Sequence, residues 1–418
     1  MPTRVRIDSV SALEVLDSRG NPTLQVTVDL RDGPRVVAGV PSGASTGSGE
    51  AVELRDGDPG RFGGRGVLRA AQAVDTEIAA RLVEHEWGSQ QEVDGALIAL
   101  DGTPNKSRLG ANAVVGVSMA IARAFAAVRG VPLYVSLGQE PALDGVAPRV
   151  PVPHFNVVNG GAHAQNNLDF QEFMLAPVGL TTVHEAVRAG AEVYSTLRKS
   201  LHDKGFSTGL GDEGGFAPNV TTPEEVCELL VAAIEAAGYT AGTDGVVIAL
   251  DPAASGFSRP DHTYHVAGNV LTAEEMVNRY EQLLDNFPIY LIEDGLAEDD
   301  PAGWRLLTSR LGTRLRLVGD DNFVTDPVRI AQAAADGIGN AALIKVNQIG
   351  TVSETLDALA TCRRVGYGAM ISHRSGETPD DFIADLAVAS GVGRIKSGAP
   401  ARGERVAKYN RLDRKRVV

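Results

Sequence analysis

Apolar and polar positions divide the chain into two styles. From Arg4 to about Val40 they alternate over short stretches: Val5, Ile7 and Val10, then Leu13, Val15 and Leu16, then Leu24, Val26 and Val28. A dense turn signal, Asp17-Ser18-Arg19-Gly20-Asn21-Pro22, lies among them, and Val36 to Val40 adds a further run. Alternation of period two broken by Gly, Asn and Pro predicts a small antiparallel sheet. Helical spacing follows over Ala70 to Val83 and Asn112 to Val128, the second stopped by Gly130-Val131-Pro132. Small residues along that second helix permit close packing and place it in a core.

The Pro-rich stretch Pro141 to Pro153 marks a boundary, giving an α+β segment 1–140 and a second domain 141–418. Beyond it, short apolar runs alternate with helical stretches. The runs are Val246 to Leu250, Ile289 to Ile292, Leu315 to Val318, Ala342 to Ile344, Ala369 to Ile371 and Gly393 to Ile395. Helical stretches include Glu224 to Ala237, Ala273 to Leu284, Val328 to Ala334, Val352 to Val365 and Asp380 to Ser390. This alternation predicts an α/β fold, a parallel (β/α)8-type barrel, with an open doubly wound sheet as the alternative. No GxGxxG follows a first strand to favour a dinucleotide site.

Each run delivers an ionisable group: Asp251, Glu293, Asp320, Lys345, His373 and Lys396. In a barrel these positions all fall on the face that carries chemistry. Three carboxylates in succession repel one another, and a hard divalent cation relieves that repulsion. All-oxygen ligation favours Mg²⁺ over zinc. Caps and salt bridges to the two lysines are the alternative use of these groups. Lys345 enters the core on an apolar run, and a dry lysine near other cations is expected to lose proton affinity and serve as a base. His373-Arg374-Ser375-Gly376 offers a guanidinium, a hydroxyl and turn backbone to a phosphate.

Composition narrows the field. The 418 residues suggest two domains, and the formal net charge of -14 argues against a nucleic-acid or anionic-membrane surface. Cys227 and Cys362 stand apart from any CxxC, no signal-peptide pattern opens the chain, and no run reads as a membrane span. The expectation is a cytoplasmic protein with reduced, structural thiols. The basic tail Arg411 to Arg416 reads as a solvated end.

Three glycine-rich stretches complete the candidate chemistry. Pro41 to Gly47 reads as a mobile loop with three hydroxyls, either bland or a lid. Gly209 to Pro218 carries Glu213, a general-acid candidate that the glycines bring close to a ligand. Asn159 to Ala164 carries His163 and Gln171 to Met174 carries Glu172, both expected before the barrel proper on inserted loops. Two reactions use such equipment. One abstracts the proton alpha to a metal-held carboxylate; the other hydrolyses a phosphate ester but leaves Lys345 without a task. For the first, a lysine base working beside one or two Mg²⁺ ions is an established pairing.

Over nearly its whole length the chain resembles the enolases, the phosphopyruvate hydratases. The matching blocks are Leu16 to Thr23, Pro41 to Gly47, Glu53 to Asp58, Gly211 to Pro218, Ile292-Glu293-Asp294, Ala297 to Asp300, Leu343 to Thr351, Ser372 to Thr378, Ile395 to Pro400 and Ala407 to Asn410. The resemblance implies an enolase-type barrel with one early antiparallel strand, capped by a smaller α+β N-terminal domain. It implies a homodimer or ring of dimers acting on a small phosphorylated carboxylate. It also implies a first Mg²⁺ on Asp251, Glu293 and Asp320, and a second Mg²⁺ that arrives with substrate and is bound by Ser45. Lys345 would be the base, Glu213 the acid aided by Glu172, and Lys396 the carboxylate clamp. Arg374 and Ser375 would hold the phosphate, with His163 and His373 completing the pocket.

The chain departs from the family's usual residues at Gln25, Gln165, Gly256, Gly295 and Asn322. Drift is one explanation. Another is an enolase-like carboxyphosphonoenolpyruvate synthase, which dehydrates a phosphonylated analogue of 2-phosphoglycerate. A non-catalytic lens or surface-binding role is the third, and the intact catalytic set argues against it.

Overall fold

Alternation near the N-terminus produces four strands in the order β3-β2-β1-β4: β1 (Val5–Leu16), β2 (Pro22–Leu30), β3 (Arg35–Gly39) and β4 (Glu86–Trp87). This computed structural model describes residues 4–31, 33–43, 47–83 and 85–414. The inward residues Ile7, Leu24, Val26 and Val28 are fully buried, as their spacing requires. They pack on the helix Ala111–Arg129, in which Gly116 lets the backbone close on Val26 and Val40: a Cβ there would lie 2.6 Å from a Val26 methyl. By length and composition this helix is apolar enough to cross a membrane, contrary to the reading of the sequence. It is a core helix instead, with 83% of its apolar window buried.

The remaining strands are β5 (Val152–Asn159), β6 (Glu172–Ala176), β7 (Val247–Asp251), the hairpin β8 (Tyr264–Val266) and β9 (Asn269–Leu271), β10 (Ile289–Glu293), β11 (Arg316–Gly319), β12 (Ala341–Ile344), β13 (Gly368–Ser372) and β14 (Arg394–Lys396). Eight of them close into a barrel in the order β10-β11-β12-β13-β14-β5-β6-β7. All neighbouring pairs are parallel except those of β6, which runs antiparallel to β5 and β7. Its direction follows from the chain: the link from β5 to β6 is too short for a crossover helix, so the second strand must fold straight back. A small interior cluster of Met174, Ala249, Leu291, Val318, Ala341, Leu343 and Met370 fills the barrel.

The reading of the sequence placed His163 and Glu172 before the barrel. The structure corrects this. Glu172 opens β6 and is level with Asn159 of β5 and Asp251 of β7, while His163 lies in the loop joining β5 to β6. Because β6 is reversed, its first residue reaches the same rim as the last residues of its neighbours. The tail also differs from expectation. Arg411 lies on the helix Gly403–Arg414 and donates to the buried Asp385, and Leu412 is fully buried. Lys415 and Arg416 lie outside the described residues. Both cysteines are free and buried.

At the barrel floor, one extra residue in β10, between the pairs Ile289–Ile248 and Leu291–Ala249, brings the Tyr290 hydroxyl onto His154 Nε2. His154 is fully buried, and burial, helped by Arg394, pushes its proton affinity down to about 3. An unfolded histidine protonates near 6.5, so acid favours the unfolded chain between those values, and stability falls as pH drops through that window. At about pH 5 this ring costs about 2 kcal/mol. His154→Phe is therefore expected to lose about 2 kcal/mol of the stability difference between neutral and about pH 5 in urea titrations. An unchanged difference would contradict the assignment.

Candidate active site

All six strand-end groups reach one rim. Asp251 and Glu293 end β7 and β10, Asp320 follows β11, Lys345 follows β12, His373 follows β13 and Lys396 ends β14. The strand order sorts them by charge. From β6 through β7, β10 and β11 the rim carries Glu172, Asp251, Glu293 and Asp320. From β12 through β13 to β14 it carries Lys345, Arg374 and Lys396. Glu172 and Lys345, on β6 and after β12, are four strands apart in a ring of eight and so face each other across the mouth.

Both uses foreseen for the carboxylates are visible. Lys396 Nζ lies 2.7 Å from Glu293 Oε1, 3.1 Å from Asp251 Oδ2 and 3.2 Å from Glu172 Oε2. Lys345 pairs with Asp320 Oδ2. Yet Glu293 Oε2 is buried with no hydrogen-bond partner among the described residues. Burial first, then Asp251, raise the proton affinity of Glu293 well above the carboxylate range. An orphaned oxygen among oxygen-only donors fits a hard divalent cation. Asp294 adds to this corner: its carboxylate accepts the backbone N–H groups of Asp320 at 2.8 Å and Asp321 at 3.0 Å. Oxygens of Asp294, Asp320 and Asp321 lie within 4.8 Å of one another. Ser45, expected at a second metal, lies outside the described residues.

Lys345 needs a correction. Its dryness was expected to lower its proton affinity. Burial does work against the ammonium, but Asp320 beside it outweighs burial and the nearby Arg374 and Lys396, so the affinity is raised. Lys345 is held as an ammonium, and whatever engages Asp320 removes what holds the proton there.

Across the mouth, Glu172, Glu213 and His163 converge, with ligating atoms within 4.8 Å of one another. His163 Nδ1 has no hydrogen-bond partner among the described residues and lies 3.6 Å from Glu172 Oε1 and 3.8 Å from Glu213 Oε1. The Gly211 to Gly215 loop lies directly against β5: a Cβ on Gly215 would sit 2.6 Å from Asn159 Oδ1. Glu213 Oε2 accepts from Asn156 Nδ2 at 3.0 Å and lies 3.0 Å from His373 Nε2. The two glutamates split in proton affinity. Burial and then Glu213 push Glu172 well up. Burial of Glu213 is outweighed by His373 and His163, which hold it well down.

The Arg374-Ser375 turn is built across the domains. Ser42 and Gly376 exchange backbone hydrogen bonds at 2.7 and 2.8 Å, which seats the N-terminal loop on the Arg374-Ser375 turn. Arg374 is buried and donates twice to Glu50, at 2.9 and 3.1 Å, and once to Asn347 at 3.0 Å. A cavity of about 380 Å³ beside it is lined by Glu50, Glu53, Asn112 and Asn347.

Gln348 links this end to Lys345. Lys345 N–H donates to Thr325 Oγ1, so that hydroxyl must give its hydrogen to Gln348 Oε1 at 2.6 Å. The amide nitrogen is then fixed toward Asp320 Oδ1 at 2.7 Å and Glu50 Oε1 at 3.3 Å. Val324, Thr325 and Asp294 all have positive φ, at 44°, 59° and 42°. Non-glycine residues in that region are strained, and three in the loops around Asp320 mark a place where precise positioning is maintained.

Asn156, Glu50, Asp294, Gln348 and Arg405 escaped the sequence reading as working residues. Only Gln348, a polar residue just beyond a buried strand, carried a local signal. The five departures separate. Gly256 lines a cavity of about 780 Å³ with Asp169, Glu298 and Asp321, and a Cβ there would meet nothing within 4 Å. A Cβ on Gly295 would meet Ile292, Leu307 and Tyr280. Asn322 lines an outer groove with Trp304 and Val328. Gln165 is exposed, and Gln25 belongs to β2 in the N-terminal sheet.

A barrel whose rim holds a carboxylate arc opposite a cationic arc, with a lysine facing a glutamate pair, fits a lyase of the enolase superfamily. Family descriptions agree: residues 7–137 match "Enolase, N-terminal domain" and residues 148–416 match "Enolase, C-terminal TIM barrel domain". The chain belongs to the enolase family.

Proposed function

We propose that this protein is a hydro-lyase that eliminates water from 2-phosphoglycerate to give phosphoenolpyruvate. The observation that carries the reading is the placement of Lys345 and the Glu172–Glu213 pair at opposite points of one rim, with the carboxylate arc between them. A substrate spanning that mouth meets a base on one face and an acid on the other, as stepwise elimination through an enediolate requires. Lys345 takes the alpha proton, and the glutamate pair supplies a proton to the departing hydroxyl. Arg374 and Ser375 hold the phosphate and Lys396 the carboxylate. His163 and His373 border the leaving group. Mg²⁺ held by Asp251, Glu293 and Asp320 supplies the positive charge that makes the enediolate accessible. Ser45 belongs to the same proposal as a ligand of a second ion, and the active form is a homodimer or ring of dimers in the cytoplasm.

Dehydration of a carboxyphosphono analogue is the second reading, favoured by the open wall at Gly256. The acidic lining of that cavity and of the one beside Arg374 gives an additional carboxylate no new cation, so 2-phosphoglycerate stands first. Each compound is to be supplied separately with Mg²⁺, and enol product followed by ultraviolet absorbance and phosphorus NMR. Turnover of 2-phosphoglycerate that a chelator abolishes is expected. If the analogue alone turns over and Gly256→Glu lowers its kcat/KM relative to 2-phosphoglycerate, the second reading replaces the first. Turnover of neither compound by metal-loaded protein rejects both.

A further inference from the structure

Arg405 is fully buried in the first turn of the helix Gly403–Arg414, and its guanidinium is directed at the two loops that carry Glu213 and His373. It donates to the carbonyls of Asp212 at 3.1 Å, Arg374 at 2.7 Å and Ser375 at 2.5 Å, and to Ser18 Oγ at 3.2 Å. Its remaining close contact in that direction is Nδ1 of His373. A guanidinium has donors only and stays charged in proteins. The ring nitrogen facing it must therefore be bare. With Nδ1 bare the imidazole is neutral, and its single hydrogen sits on Nε2, which lies 3.0 Å from Glu213 Oε2.

That hydrogen has a consequence for Glu213. Its Oε2 accepts from Asn156 Nδ2 at 3.0 Å, and the same oxygen is the one that the His373 Nε2–H approaches, without an aligned hydrogen bond. Oε1 is the oxygen better placed to exchange a proton. Oε1 is the oxygen nearest His163 Nδ1, at 3.8 Å, on the side where Glu172 stands.

We infer that Arg405 is a positioning residue that fixes the Nε2–H tautomer of His373 and so directs proton exchange at Glu213 to Oε1. The inference deepens the proposed elimination and rests on it for its catalytic meaning, although the tautomer exists independently of substrate. In the forward reaction the proton of the glutamate pair passes to the departing hydroxyl. The carbon–oxygen bond breaks with its electron pair on that oxygen, water leaves, and the pair remains one proton poorer. Arg405 itself exchanges no proton. It keeps His373 a donor, so that His373 cannot accept the proton in place of the hydroxyl.

The test is NMR of full-length protein labelled on its histidine ring nitrogens, without substrate, with the His373 signal assigned by its loss in His373→Asn. Wild type is expected to show a neutral ring protonated at Nε2. Arg405→Lys keeps a donor cation at Nδ1 and should retain that tautomer. Arg405→Gln can present a carbonyl instead, and should admit the Nδ1–H form while lowering kcat about ten- to a hundredfold with KM nearly unchanged. A wild-type ring protonated at Nδ1, or on both nitrogens, overturns the inference. So does a folded Arg405→Gln protein with the wild-type tautomer and kcat. If that variant does not fold, the wild-type and Arg405→Lys spectra decide. The wild-type spectrum in protein inactive on both substrates would reject the proposed reaction and leave the role of Arg405 standing.

Discussion

Lys345→Ala is expected to reduce kcat on 2-phosphoglycerate by about three orders of magnitude, about 4 kcal/mol of transition-state stabilisation, with KM changed little. The split follows from its place on the rim. In the proposed reaction Arg374 holds the phosphate and Lys396 the carboxylate, and each keeps its own acidic partner, so binding should survive. What disappears is the ammonium facing the glutamate pair, and with it the exchange of the alpha proton with solvent. Glu213→Gln should behave differently, since it leaves the base intact and impairs departure of the hydroxyl. Solvent-deuterium incorporation into unreacted substrate separates the two. If Lys345→Ala still exchanges that proton, the base lies elsewhere.

This prediction could be framed from the sequence, but the resting state of the base could not. An apolar run ending in lysine reports dryness, and dryness alone lowers an ammonium's proton affinity. The deciding partner, Asp320, comes from the preceding strand, and only the pairing of β11 with β12 brings the two together. The same limit explains what else was missed. Six strands were legible because each is an apolar run ending in one ionisable group. In β5, His154 and Asn156 interrupt the run, since their side chains serve the barrel interior and Glu213. β6 begins at Glu172, where a charged residue reads as loop. Its reversed direction comes from a short connection, and no hydrophobic pattern reports it. Glu50 and Gln348 are separated by 298 positions, and Arg405 and His373 by 32, so neither partnership leaves a periodic trace. The resemblance to enolases supplied the reversed strand and the roles of the loop acids. It offered nothing on Gln348 or Arg405, whose importance lies in which atom each presents to which neighbour.

Glu293→Gln is expected to abolish the Mg²⁺-dependent rise in melting temperature, reduce turnover by at least a thousandfold, and yet make the metal-free protein more stable. The two halves of this result have one cause. Glu293 is fully buried, its Oε2 has no donor among the described residues, and Asp251 and Asp320 stand close enough to raise its proton affinity. A charge held there costs folding energy unless a cation satisfies it. The amide has nearly the same shape and no charge. It relieves the repulsion, and Lys396 keeps Asp251 and Glu172 as partners. Relieving the repulsion by about one pKa unit is expected to stabilise the metal-free protein by about 1–2 kcal/mol, about one to two degrees in a protein of this size. Wild type should gain stability with Mg²⁺ by mass action and the variant should not. Calorimetry of both proteins, with and without chelator, reads each half separately. A metal-free variant that melts below wild type would mean that Glu293 is a structural ion-pair partner of Lys396. A retained Mg²⁺ response would move the metal to the Asp294, Asp320 and Asp321 corner, where the oxygens already lie close together.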